Sequence, residues 1–145
     1  MGGPEDSISR GYNNTFCNCA IGISFIGTSS CVAKNNLLTN SDAPCSETFG
    51  AGTDYNVTED SSLGYTVTGG GNSHDHVSHT FTFIDSGAKN FHLSSSDVGA
   101  IGFGVSDPGS GLFSNDIDGT SRTGSWDCGA DQHAVISPWY YYSQI

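Results

Sequence analysis

Basic side chains are scarce in this sequence. Only four cationic residues stand against 15 acidic ones, and the net charge is −11. Such a surface repels phosphate backbones, so we expect no nucleic-acid partner. The four cations are Arg10, Lys34, Lys89 and Arg122.

Long apolar runs are also missing. No stretch approaches the roughly 18 apolar residues that span a membrane, so we expect no membrane partner. The first residues, Met-Gly-Gly-Pro-Glu-Asp-Ser, lack the basic and apolar regions of a signal peptide. As written, the chain is therefore expected in the cytoplasm, unless an upstream part has been lost.

Strong helix formers are few. Charged residues make up 13% of the 145 residues, against about 25% in ordinary soluble domains. Gly, Ser, Thr and Asn replace them, and 20 glycines separate short apolar runs. This composition disfavours long helices and predicts one all-β domain with many turns.

An asparagine repeat occupies the first sixty residues. Residues 13–18 read Asn-Asn-x-apolar-x-Asn, and residues 35–40 repeat that pattern 22 positions later. A weaker copy follows over residues 54–58. Spacings of 20 to 22 residues predict the coils of a parallel β-helix, in which equivalent asparagines stack, hydrogen-bond along the column and accept left-handed corners.

The five cysteines show no metal or haem spacing. At an offset of 22, Cys17 lies over Thr39, and no two cysteines share a column. We expect small interior side chains, with a bridge from Cys19 to Cys45 across a corner as an open alternative.

Three histidines lie in a polar segment near residues 59–80. On a strand, His74 and His76 point to one side, and His79 joins them if the backbone bends. They are either solvated loop side chains or a transition-metal site.

The final third contains four short motifs in a fixed order. They are Asn90-Phe91-His92-Leu93, a small-residue segment over 99–104, Asp116-Ile117-Asp118-Gly119-Thr120-Ser121-Arg122, and Asp127-Cys128-Gly129-Ala130-Asp131. This order resembles the end of extracellular bacterial right-handed parallel β-helix repeat proteins, of the pectate-lyase-like solenoid superfamily. Those proteins close with aromatic-His-Leu, then Asp-x-Asp-Gly-x-x-Arg, then Asp-Ile-Gly-Ala-Asp-Glu.

The resemblance implies an all-β fold: a short right-handed parallel β-helix (solenoid) with an irregular C-terminal cap. Residues 1–10 form an N-terminal extension, residues 11–93 form coils with a polar excursion near 59–80, and residues 94–145 form the cap and an aromatic tail. A cap covers the unpaired edge of the last coil. Cys128 replaces the usual Ile, Gln132 replaces the usual acid, and the family's many upstream coils are missing.

The acidic residues of the cap allow two interpretations. Arg122 lies among acids and is expected to fasten the segment by carboxylate hydrogen bonds. Alternatively, Asp116, Asp118 and Asp131 bind calcium, because Asp-x-Asp-Gly resembles the start of a calcium loop. No other cofactor is expected.

These features favour a non-catalytic closing module of a secreted or surface β-helix protein that binds polysaccharide or serves adhesion. One alternative is a fragment of a polysaccharide lyase or glycoside hydrolase, and another is an independent small protein. The aromatic tail from Pro138 to Tyr142 either stacks on sugars or packs on the solenoid. We also expect the open first coil to self-associate, unless residues 1–10 shield it.

Overall fold

The chain is all-β. The computed structural model describes residues 8–25 and 31–133, and within them we find short strands and one turn of 3-10 helix, Ser86–Ala88, but no α-helix. The strands are β1 (Arg10–Tyr12), β2 (Thr15–Cys17), β3 (Ile21–Ser24), β4 (Val32–Lys34), β5 (Leu37–Thr39), β6 (Ala43–Ser46), β7 (Thr48–Phe49), β8 (Val57–Thr58), β9 (Thr66–Val67), β10 (Phe83–Asp85) and β11 (Asn90–Leu93).

Most strands pair in parallel, in the register that the asparagine repeat predicts. The pairs β1–β4, β2–β5 and β3–β6 join residues that are 22 positions apart, so that Cys17 faces Thr39. The pair β5–β8 has an offset of 20 residues. The predicted parallel stacking of residues 13–18 on 35–40 is therefore confirmed.

The segment near 59–80 belongs partly to the stack. Strand β9 pairs in parallel with β7 at an offset of 18, and His76 forms a parallel bridge to Val57. The exposed part of the expected polar excursion includes Gly69, Gly70 and Gly71, which all have positive φ.

The corners between strands use left-handed backbone. Asn13 has a φ of 51°, Asn35 of 55° and Tyr55 of 62°, and each stands just before a stacked position of the next strand. Asparagine adopts this conformation more readily than most residues. The first residue of each doublet therefore turns the chain, and the second is left to bond along the stack.

Asn14, Asn36 and Asn56 form the predicted amide ladder. The Oδ1 atom of Asn36 accepts the main-chain N–H and the Nδ2 of Asn14, both at 3.0 Å. In the same way, Asn56 Oδ1 accepts the main-chain N–H and the Nδ2 of Asn36, at 3.1 and 2.9 Å. The last member is Asp75, whose Oδ1 accepts the main-chain N–H of Asn56 at 2.8 Å.

Two apolar cores lie on opposite faces of β5. Leu38 packs inward with Ala33, Ile23 and Phe49. Leu37 packs outward, in a second core that also contains Val57, Leu93, Ala100 and Cys128. All three residues of β5 are buried, because a segment from the last third of the chain covers its outer face.

That segment runs along the corner formed by Asn13, Asn35 and Tyr55. Asn13 Nδ2 donates to the Gly129 carbonyl at 3.2 Å, and the Gly129 N–H donates to the Asn35 carbonyl at 2.8 Å. The Cys128 thiol reaches the Tyr55 carbonyl at 3.2 Å. The segment thus contacts three successive layers of the parallel stack from the side. The aromatic tail and residues 1–7 lie outside the described residues.

Arg122 fastens this segment, but not in the way that the sequence predicts. Its guanidinium donates to the carbonyl oxygens of Asp131 (3.2 Å), Gly129 (3.0 Å) and Ala130 (2.7 Å). The expected carboxylate pairing is wrong, because the turn over 127–131 directs main-chain oxygens at the buried side chain. Burial lowers the pKa of Arg122, while the charges of Asp116, Asp127 and Asp131 oppose that shift.

Removing the side-chain amide at the middle of the ladder should destabilise the fold. We expect Asn36→Ala to lower the free energy of unfolding by about 2–4 kcal/mol, since it leaves buried amide partners unsatisfied. The exposed end of the ladder supplies the control: Asn14→Ala should cost about 1 kcal/mol or less. Urea unfolding measures both, and equal losses would contradict the ladder's role.

The carbonyl oxygens of Gly129, Ala130 and Asp131, which we call the carbonyl cradle, should bind lysine less well than Arg122. We expect Arg122→Lys to lower the free energy of unfolding by about 2–4 kcal/mol, because an ammonium cannot reach the carbonyls that the guanidinium spans. Arg10→Lys makes the same change on an exposed strand and should cost about 0.5 kcal/mol or less. A small loss for both variants in urea unfolding would show that the cradle contributes little.

Candidate functional site

A cavity of about 440 Å³ contains the main cluster of metal-ligating side chains in the described part of the chain. The cluster consists of His92, Asp118 and Asp131, and we call it the His92 site. Strand β11 carries His92, a tight turn carries Asp118, and the turn around Arg122 carries Asp131. One ligand atom from each of the three lies within 4.8 Å of the others.

The His92 site is half open to solvent. His92 Nε2 lies 2.8 Å from Asp118 Oδ2, and the side chains of His92 and Asp118 are 37% and 57% exposed. Asp131 is buried, and its Oδ2 accepts the Leu93 N–H at 2.7 Å. On the other side of the imidazole, Nδ1 contacts Asn90 Oδ1.

Two of the three predicted calcium ligands are in this site. Asp116 lines the same cavity, but its Oδ1 accepts the N–H groups of Asp118 and Thr120 at 3.0 and 2.8 Å. Gly119, with a φ of 82°, completes this turn. The Asp-x-Asp-Gly motif is thus built as a turn that presents Asp118.

Sequence reasoning missed His92. The residue lies 26 positions from Asp118, and spacing alone does not bring the two together. The available signal was its place in the Asn90-Phe91-His92-Leu93 motif, where an alternating strand directs Leu93 into the core and leaves His92 near the surface.

The three histidines of the polar segment do not converge. His74 Nδ1 lies 2.7 Å from Asp54 Oδ2, and its ring stacks on Tyr55. His76 and His79 instead pack edge to face with each other and with Phe103. They are neither a three-histidine site nor simple solvated side chains.

The thiols of Cys45 and Cys128 are buried. Cys17, Cys19, Cys45 and Cys128 are free thiols, so the alternative bridge from Cys19 to Cys45 is not formed. Burial raises the pKa of Cys45 to about 12 and that of Cys128 further still. Cys128 is fully buried in the second core, as its place in the motif predicts.

The buried carboxylates are occupied by main-chain donors. Asp127 accepts the N–H groups of Gly102 and His133 at 2.7 and 2.6 Å, and burial raises its pKa. Asp97 Oδ2 accepts three successive N–H groups, from Gly99, Ala100 and Ile101. These acids hold loops in place. To act in acid–base catalysis, they would have to break their hydrogen bonds to the main chain.

A second surface feature concentrates positive charge. Arg10, Tyr12 and Lys34 project from the outer face of β1 and β4 into a groove of about 420 Å³, whose other wall contains Pro108 and Leu112. We call this the Arg10 groove. It holds two of the chain's four cations, and within the described residues neither has a carboxylate oxygen within 4.0 Å.

In the ranges that the structure describes, no helix is long and apolar enough to cross a membrane.

Comparison with family models, with curated proteins and with solved structures found no match to this chain. The resemblance to β-helix repeat proteins therefore stays a prediction from the motifs of residues 90–131.

Proposed function

We propose that this chain is a non-catalytic closing module of an extracellular or surface protein, built as a short right-handed parallel β-helix. The observation that supports this most is the lateral fastening of three successive coils by residues 97–131. Asn13, Asn35 and Tyr55 each bond to that segment. A segment that locks successive coils together suits the end of a solenoid, where fewer neighbours stabilise each repeat.

An open edge at the first coil supports the same proposal. Among residues 8–25 and 31–133, strands β1, β2 and β3 each pair on one side only, with β4, β5 and β6. Such an edge offers N–H and C=O groups to a further coil. In the full-length protein, an upstream coil would pair there. In the isolated chain, a second copy or residues 1–10 would take that place.

The edge can be tested through one main-chain N–H. The Asn14 carbonyl and the Asn18 N–H both bond to the second coil, so by alternation the Cys17 N–H points to the open edge. We expect the chain to self-associate, and Cys17→Pro to abolish this because proline lacks that donor. Cys17→Ala keeps the donor and should associate like the wild type.

Sedimentation velocity over a range of concentrations, with reductant present, measures this association. A monomeric wild type in which a protease cuts residues 1–10 rapidly would contradict both ways of covering the edge. Equal association of the proline and alanine variants would show that the contact lies elsewhere.

A second candidate function is binding of an acidic polysaccharide in the Arg10 groove. Guanidinium and ammonium groups bind carboxylates, and an aromatic ring such as Tyr12 offers a face and a polar tip for a sugar. Two cations without carboxylate partners are notable in a chain with a net charge of −11. A uronate-containing oligosaccharide matches this lining.

Calorimetry with an oligogalacturonate tests the groove. We expect weak, salt-sensitive binding that the double variant Arg10→Gln/Lys34→Gln weakens by about tenfold, as loss of two charged contacts would. Lys89→Gln removes a cation outside the groove and should bind like the wild type. Equal binding of a neutral glucan oligomer would contradict carboxylate recognition.

The same mixtures discriminate the enzyme alternatives. A lyase would create unsaturated chain ends that absorb in the ultraviolet, and a hydrolase would create new reducing ends. Either product would overturn the non-catalytic proposal. An independent small protein would instead fold and bind without any upstream coil.

A further inference from the structure

We propose that His92, Asp118 and Asp131 bind a divalent transition metal of the zinc class, with Asn90 orienting the imidazole. This inference does not depend on the closing role or on the Arg10 groove.

The hydrogen bonds around His92 place two acceptors on one ring. Asn90 Oδ1 accepts the His92 main-chain N–H at 3.2 Å, which identifies that atom as the amide oxygen, and it also contacts Nδ1. A neutral imidazole has one N–H, and the tautomer that donates from Nδ1 to Asn90 Oδ1 leaves a lone pair on Nε2. Nε2 then presents a lone pair to Asp118 Oδ2 at 2.8 Å.

A lone pair and a carboxylate oxygen at this distance require a positive charge to join them. A proton would make an ordinary ion pair, whereas a metal ion would need further ligands. The structure supplies one: Asp131 offers a carboxylate oxygen within 4.8 Å of a ligand atom of His92 and a ligand atom of Asp118. The pair His74–Asp54 has a similar N–O distance of 2.7 Å, but among the described residues no third ligand joins it.

The surroundings fit a metal as well. Histidines that bind metals commonly donate the other ring N–H to an oxygen, as His92 does toward Asn90. Asp131 is held by the Leu93 N–H, while Asp118 stays exposed at the mouth of the cavity. Three protein ligands facing a cavity leave room for water or a small oxygen ligand in the remaining positions.

The ligand types decide the class of metal. Imidazole suits zinc, nickel, copper and iron, whereas calcium takes oxygen ligands. The calcium proposal relied on Asp116, whose Oδ1 is occupied by two main-chain N–H groups. A nitrogen with two carboxylates therefore favours zinc over calcium.

Calorimetry with zinc alone tests the site, in a Cys17→Ser/Cys19→Ser background that removes the two partly exposed thiols. We expect one zinc per chain. His92→Gln and Asp118→Asn should each weaken binding by more than about 100-fold, and Asn90→Ala by about tenfold, in line with the loss of an orienting partner. His74→Gln, which breaks the matched pair without a third ligand, should bind zinc as the background does.

Nitrogen NMR of the wild-type imidazoles gives a second readout that needs no variant. Zinc should shift Nε2 of His92 while Nδ1 keeps its proton. The proposal is overturned if His92→Gln binds zinc like the background, if His92 is doubly protonated and zinc does not bind at neutral pH, or if calcium displaces zinc at equal concentration.

Discussion

The structure depends on a hydrogen-bonded column of side-chain amides that joins the layers of stacked parallel strands. Asn36 is fully buried, and its amide bonds to neighbours above and below in the stack. A buried amide without such partners would be strongly destabilising. The column therefore fixes the register of the stacked strands, since a slip of one residue would leave several polar groups unsatisfied in the interior.

The same corner joins the coils to the last third of the chain. Asn13 and Asn35 bond to residues 116 and 70 positions away, and β5 has one core on each face. The second core is incomplete without the distant segment, which supplies Leu93, Ala100 and Cys128. We therefore expect the stacked strands and the covering segment to unfold together, and to fold slowly because so many contacts are long-range.

The repeat predicts the register because stacking imposes a period on residue types. The doublets gave the offsets of 22 and 20 and the left-handed corners at Asn13 and Asn35. The fourth ladder position could not be predicted from the asparagine pattern, because it is occupied by Asp75. Only an accepting oxygen is needed there. Arg122 was misassigned because nearby acids in sequence say nothing about main-chain carbonyls. His92 was missed because its partners come from two separate turns.

Asp75 gives the column a direction. The amide of each asparagine donates to the next member of the column, Asn14 to Asn36, Asn36 to Asn56 and Asn56 to Asp75. A carboxylate can accept such a bond but has no N–H to donate further. Burial, and to a lesser extent the charge of Asp54, raises the pKa of Asp75, while hydrogen bonds from Tyr65 and Asn56 act against that rise. At the other end Asn14 stands exposed. The chain of side-chain donors therefore ends at Asp75, and its opposite end, Asn14, faces solvent.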